Sequence, residues 1–229
     1  MIKENPILIT GSPRSGTSIV AAVINRCGAF IGSISKRSML ENIHIKEELI
    51  KPYLSRMGAD MKGQYPLPDI QTISIPSDWK ERVLEIMREE KYDGIWMYKS
   101  NTASLVWPVW RFAFPNAKWI IVRRKTSDII NSCLKTGYMN AFSDEGIQKQ
   151  VGADNEYDGW LWWVRQYEKR FTEIVNEGLD YKIMWPERLI DGNFDQVREI
   201  LDWCDLSWKN NIPDFINPLL WGNKRKGGT

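Results

Sequence analysis

Cysteine is scarce in this chain. Cys27, Cys133 and Cys204 are odd in number and scattered, without the close spacing of a metal site or a disulfide framework. They read as reduced thiols and point to a cytoplasmic protein. Histidine is scarcer still, with His44 the single example. No stretch approaches the roughly 18 apolar residues of a membrane span, and Pro6 and Gly11 arrive too early for a signal peptide. Charge of one sign is also lacking: a net charge of +2 gives no global signal for nucleic acid or an acidic membrane. There are no repeats, low-complexity tracts or obvious linkers.

What is present is ordinary for a globular chain, at 43% hydrophobic and 26% charged residues, except for twelve tryptophans. A length of 229 residues suits a single domain spanning 1–229. Four short apolar runs, Ile7–Thr10, Ile95–Tyr98, Trp119–Val122 and Tyr181–Trp185, read as strands covered on both faces. Helical patterns lie between them. Thr17–Cys27 stops at Gly28, and Leu40–Met57 stops at Gly58. Ser77 or Asp78 can cap a helix through Glu90, and Thr126 or Ser127 one through Thr136. Asp154 or Asn155 can cap a long helix whose apolar stripe is Trp160, Trp163, Val164, Tyr167, Phe171, Ile174 and Val175. Strands alternating with helices predict an α/β fold, a mostly parallel central sheet with helices on both sides in three layers. The proline-rich segment Gly63–Pro76 reads as a covering loop.

The first strand runs into Gly11-Ser-Pro-Arg-Ser-Gly-Thr17 and then a helix. A loop of this kind aims several backbone N–H groups at one point, where the helix dipole adds positive potential. Arg14 supplies a forked cation, and Ser15, Thr17 and Ser18 supply hydroxyls. The Gly11-x4-Gly16 spacing is that of an ATP-binding P-loop. Such a loop needs a lysine where Thr17 stands, and a second strand ending in an acid for magnesium. Here the strand Trp119–Val122 ends in Arg123-Arg124, which disfavours magnesium-dependent phosphoryl transfer.

Pro13–Ser18 resembles the 5′-phosphosulfate loop of sulfotransferases, above all the branches acting on carbohydrates and protein tyrosine. The resemblance implies a P-loop-type fold and transfer of a sulfuryl group from 3′-phosphoadenosine 5′-phosphosulfate (PAPS) to a hydroxyl or amine, with adenosine 3′,5′-bisphosphate (PAP) as product. No metal is implied. On this reading Arg14, Ser15, Gly16, Thr17 and Ser18 hold the 5′-phosphosulfate. The family's 3′-phosphate site, a strand-end Arg followed eight residues later by Ser, falls on Arg124 and Ser132; Arg123 would pair instead with Asn131. Lys99, at the end of the strand Ile95–Tyr98, is implied to neutralise the leaving phosphate together with Arg14. The late segment Met184–Trp208 resembles the family's Glu-x-Leu turn and following helix. Lys224–Gly228 is similar to the basic closing motif of the small-molecule branch.

The implied base is Glu41, near the start of the second helix, where the arginine-loop branches carry a Glu. The small-molecule branch carries a His at the position of Asn101, and His44 does not match it. Asp60 and Asp69 in the covering loop are the next candidates. Among the tryptophans, Trp107, Trp110 and Trp162 are open to core packing or to lining an acceptor cleft. The acceptor class stays open among small molecules, carbohydrates and peptides. The rival readings are a nucleotide kinase or NTPase with a degenerate loop, and a nucleotide-binding module without chemistry.

Overall fold

The computed structural model describes residues 3–34 and 39–217. Lys224–Gly228 lies outside the described residues. β1 (Ile7–Thr10) leads through the glycine loop into α1 (Thr17–Arg26). A π-helical turn (Ile45–Ile50) continues into α2 (Lys51–Arg56), and α3 (Trp79–Glu89) follows. β2 (Met97–Lys99) runs through a 3₁₀ turn (Asn101–Val106) into α4 (Trp107–Ala113). β3 (Lys118–Val122) and α5 (Thr126–Leu134) precede α6 (Glu145–Gln150) and the long α7 (Glu156–Asn176). β4 (Tyr181–Met184), α8 (Pro186–Ile190), α9 (Asp195–Trp203) and α10 (Ile212–Phe215) complete the order.

The sheet is four-stranded and parallel, in the order β2-β1-β3-β4. Parallel strands need crossover helices, which cover both faces and leave no solvated side. The side chains divide as a period of two requires. Leu8, Tyr98, Trp119 and Ile121 enter the cluster beneath α2, α3, α4, α5 and α7. Ile7, Ile9, Met97, Ile120, Val122 and Met184 enter the opposite cluster, beneath α1, α8, α9 and α10. The result is the expected three-layer α/β arrangement.

Several boundaries differ from expectation, each for a local reason. The second helix does not begin at Leu40, which takes a left-handed φ of 60°; helical turns begin at residue 43. β2 starts at Met97 because Trp96 bridges to Phe30 instead, with the Phe30 N–H donating to the Ile95 carbonyl at 2.8 Å. Trp185 leaves the last strand to cap α8 before Pro186. Thr126 and Ser127 lie inside α5, whose cap position is Lys125. Asn155 does cap α7, accepting from the Asp158 N–H at 3.1 Å.

The tryptophans gather on one side of the sheet. Trp79, Trp96, Trp107, Trp110, Trp119, Trp160 and Trp163 all belong to the α7-side cluster. Trp110 is fully buried, stacked on Tyr98 at 5.2 Å and Phe114 at 5.9 Å, with Trp79 edge-on at 5.9 Å. Trp107 and Trp110 are therefore core residues and line no cleft. The covering loop is sewn to this same layer. The Gly63 carbonyl accepts from Trp163 Nε1 at 2.9 Å and the Tyr167 hydroxyl at 3.0 Å, and Arg170 donates to the Pro68 carbonyl at 3.0 Å. Replacing Trp110 by Ala empties the centre of the aromatic stack. It should cost about 3–5 kcal/mol, read as a drop in the urea midpoint without a change in slope.

Candidate active site

β1, β2 and β3 end side by side, so their last residues and the loops beyond share one edge of the sheet. β1 delivers the glycine loop. Gly16 opens α1 with φ of 96°, a conformation open to glycine without a Cβ penalty. A Cβ on Gly11 would lie 2.5 Å from the Val122 carbonyl oxygen and 2.6 Å from Ser15 Oγ, so the loop needs glycine there for close approach to β3. Ser15 is buried, and its hydroxyl has no hydrogen-bond partner among the described residues. A buried donor left unsatisfied costs about 1–3 kcal/mol, which an anion in the loop would relieve.

The other loop hydroxyls are engaged. Thr17 donates to Asn101 Oδ1 at 3.4 Å, and the Asn101 carbonyl accepts from Ser104 at 3.1 Å. Thr10 Oγ1 in turn accepts from the Ser104 N–H at 3.3 Å. Asn101 thus joins the start of α1 to the end of β2 and does not act as a titrating group. Ser18 is turned outward, donating to the Met39 carbonyl at 3.3 Å.

Arg14 has a left-handed φ of 73°, unusual for a residue with a Cβ. Its side chain reaches across to α5: Nε donates to Ser132 Oγ at 2.8 Å, and a terminal nitrogen donates to the Tyr138 hydroxyl at 3.0 Å. Arg124 holds the same loop from below, donating to the Arg14 carbonyl at 3.2 Å. The two expected anion groups, separated by 118 residues in the chain, are therefore one continuous basic cluster. Arg14 bridges them and is not confined to the 5′ end.

The pair at the end of β3 is also resolved. Arg123 forks onto Glu168 of α7, at 2.5 and 3.3 Å, and lies 5.5 Å from the Trp185 ring centre. Arg124 turns the other way, largely buried, with Nε 3.7 Å from Glu187 of α8. Burial pushes the Arg124 guanidinium below the usual arginine range, an effect that Asp128 and Glu187 oppose and Arg14 adds to. Glu187 sits above the usual carboxylate range, raised by burial and held back in part by backbone N–H groups and Arg124.

β2 delivers Lys99, which is 2% exposed. Its Nζ lies 3.2 Å from Oε1 of Glu41, and Lys46 of the π-helical turn donates to Oε2 of the same carboxylate. Burial alone would raise the Glu41 carboxyl; Lys99 and Lys46 outweigh it and hold the group below its ordinary value. Burial pushes Lys99 below the usual lysine range, with Glu41 working against it. The neighbouring Asn42 fixes this segment: its Oδ1 accepts from the Ile45 N–H at 3.0 Å and its Nδ2 donates to Glu90 at 2.8 Å. Glu41, expected as the base, and Lys99, expected beside the leaving phosphate, thus lie together as an ion pair.

The other base candidates are committed elsewhere. Asp60 accepts from the Lys62 and Gln64 N–H groups, and Asp69 caps a turn by accepting from Gln71. His44 is exposed and pairs with Glu48 at 2.7 Å. Three residues at the site carried no sequence signal: Lys46, Tyr138 and Gln64. Gln64 is buried; it donates to the Tyr138 carbonyl at 2.8 Å and accepts from the Asn140 N–H at 3.0 Å, fixing the chain that carries Tyr138 to Arg14.

The close approach at Gly11 can be tested directly. Gly11→Ala presses a methyl against backbone that cannot yield, so a loss of roughly 1–3 kcal/mol is expected. Equilibrium urea unfolding reads it, and an unchanged midpoint would mean that the loop can move away from β3.

Residues 6–210 match the model of a sulfotransferase family. Among solved structures, the chain is similar to a sulfotransferase, STF9, from Mycobacterium avium. The identity is 15% and the TM-score 0.57, covering 93% of this chain and 67% of that one. It is also similar to the sulfotransferase domain from the curacin biosynthetic pathway, at 17% identity and a TM-score of 0.57, covering 98% of this chain and 81% of that one. No curated protein gives a significant match. At these identities the neighbours speak for the fold. The family match spans nearly the whole chain, and the chain belongs to the sulfotransferase family.

Proposed function

We propose that this single-domain chain transfers a sulfuryl group from PAPS to a hydroxyl or amine acceptor, without a metal and in the cytoplasm. The observation that carries the reading is the joined cluster of Arg14, Ser132 and Arg124 beside the unsatisfied Ser15 hydroxyl. A donor with phosphates on the 3′ and 5′ positions of one ribose needs two adjoining anion groups, and a joined cluster of this kind supports that reading. Ser15, Gly16 and Thr17 would hold the 5′-phosphosulfate through backbone N–H groups and hydroxyls, with Arg14 above them. Arg124 and Ser132 would hold the 3′-phosphate. Ser18 would join the first group by turning its hydroxyl in from Met39.

In-line transfer breaks the bond between sulfur and the bridging oxygen as the acceptor oxygen bonds to sulfur. Charge builds on the leaving phosphate, where Lys99 and Arg14 supply fixed positive charge. The acceptor proton goes to Glu41, whose carboxylate is ionised at neutral pH. Three buried thiols, all free, agree with a reducing compartment. At the end of β3, a magnesium-dependent kinase would need an acid where Arg123 and Arg124 stand. The acceptor is proposed as a small molecule, carbohydrate or peptide bearing a hydroxyl or amine.

Calorimetry with adenosine 3′,5′-bisphosphate and with AMP tests the donor site. The bisphosphate should bind better by roughly 1.5–3 kcal/mol for each charge-assisted bond to its 3′-phosphate. Arg124→Ala should abolish that preference, while Arg123→Ala, engaged with Glu168, should leave it intact. Equal affinity of wild type for the two nucleotides sinks the assignment. For the base, Glu41→Gln should lower turnover by roughly 10²–10⁴-fold on a panel of phenol and sugar acceptors with labelled donor. His44→Ala should stay within a few-fold of wild type, and the reverse pattern would move the base to His44.

A further inference from the structure

Glu41 is shared by two lysines, and only one of them has a second task. Lys99 sits on Oε1 from β2, buried at 2% exposure, while Lys46 sits on Oε2 from the π-helical turn with its side chain 32% exposed. Lys46 is five residues beyond Glu41, and the turn that carries it closes with the Lys51 N–H donating to the Lys46 carbonyl, five residues back. Lys46 itself is placed by its N–H, which donates to the Asn42 carbonyl at 3.1 Å on the first turn after Glu41. The adjoining backbone is fixed independently by the Asn42 side chain.

We propose that Lys46 is a positioning residue: when Lys99 turns to the donor's leaving phosphate, Lys46 keeps Oε2 and leaves Oε1 open to the acceptor's proton. This inference rests on Glu41 being the base and adds two things to it. The first is an order of events, in which a carboxylate locked between two cations cannot take a proton until the donor has drawn one cation off. Acceptor activation therefore follows donor binding. The second is a reason why the carboxylate stays in place after Lys99 has gone.

Among the described residues, the charged and titratable groups facing Glu41 are Lys99 and Tyr98 from β2, Lys46 from the π-helical turn, and Tyr167 from α7. Both phenols are pushed well up, by burial first, with Glu41 next for Tyr98 and Asp60 ahead of Cys133 and Glu41 for Tyr167, so they stay neutral across the working range. The lysines are left as the groups whose movement changes Glu41. Its carboxyl is depressed in the free protein, so it is ionised above that depressed value and gains a proton as pH falls through it. Withdrawing Lys99 moves this transition to higher pH, toward the ordinary carboxylate range.

The test follows the Glu41 side-chain carboxyl carbon by NMR as pH is varied, in free protein and with saturating adenosine 3′,5′-bisphosphate. Binding should move the Glu41 midpoint upward in wild type. Lys46→Met should raise the midpoint in both states and lower kcat between about tenfold and 10²-fold, the cost of a displaced base. The acid limb of the pH profile should move up with the midpoint, and Lys46→Arg should restore it. A purely structural Lys46 would lower stability without moving the midpoint or the limb. If Glu41→Gln abolishes turnover yet bound nucleotide leaves the wild-type midpoint unmoved, the sharing of Lys99 is overturned and the base assignment stands. If Glu41→Gln stays active, the base assignment falls, and this proposal with it.

Discussion

Parallel pairing of β1 with both of its neighbours is the constraint on which the site depends. Ile7 pairs with Met97 on one side and with Lys118 on the other, so three strands reach the same edge together. Each then contributes one element of the proposed site: a glycine loop from β1, Lys99 from β2 and Arg124 from β3. In open parallel sheets, ligands collect beyond the carboxyl ends of the strands because helix N-termini and strand ends converge there. A shift of β2 by one residue would turn Lys99 away from the face it shares with Met97 and Ile9 and into the opposite cluster of Tyr98 and Leu8. Register and chemistry are thus one specification.

Charge burial is the second constraint. Lys99 is tolerated inside the protein because Glu41 meets it, and Glu41 because two lysines meet it. A buried pair of this kind adds little to stability compared with a well-packed apolar pair, yet loss of one partner typically costs about 3–5 kcal/mol. On the proposed function the arrangement is preorganisation, with charge held ready at the expense of stability. The unsatisfied hydroxyl of Ser15 belongs to the same logic, as does the left-handed backbone of Arg14.

Much of this was legible in the sequence wherever the signal is local. The strand, glycine loop and α1 appear in order within Ile7–Cys27, because a phosphate-type loop needs small residues at fixed steps. Lys99 and Arg124 could be read as strand ends, and Asn155 as a cap, from their immediate neighbours. Contacts between distant residues carry no such signal. Arg14 meeting Ser132, Tyr138 beneath Arg14, and Gln64 tying Tyr138 in place all depend on how loops far apart in the chain are packed. The π-helical turn escaped for another reason: its apolar spacing resembles an ordinary helix, and the extra residue shows only in the hydrogen bonds. Trp107 and Trp110 were ambiguous because an aromatic ring suits a cleft as well as a core, and only the packing of α4 beneath α3 decides.

The one-sided distribution of tryptophan has an optical consequence. Among the described residues, Trp79, Trp96, Trp110, Trp119, Trp160 and Trp163 are almost wholly shielded in a single layer, while the opposite layer holds Trp203 and Trp208 only at its partly buried margin. Indole emission shifts to the red when water reaches the ring, so the intrinsic fluorescence of this protein is chiefly a gauge of the α7 side. Loosening of α1, α8 or α9 would pass largely unseen by that gauge, while backbone dichroism would register it. Where the two signals part company during unfolding, the sheet has let go of one layer before the other.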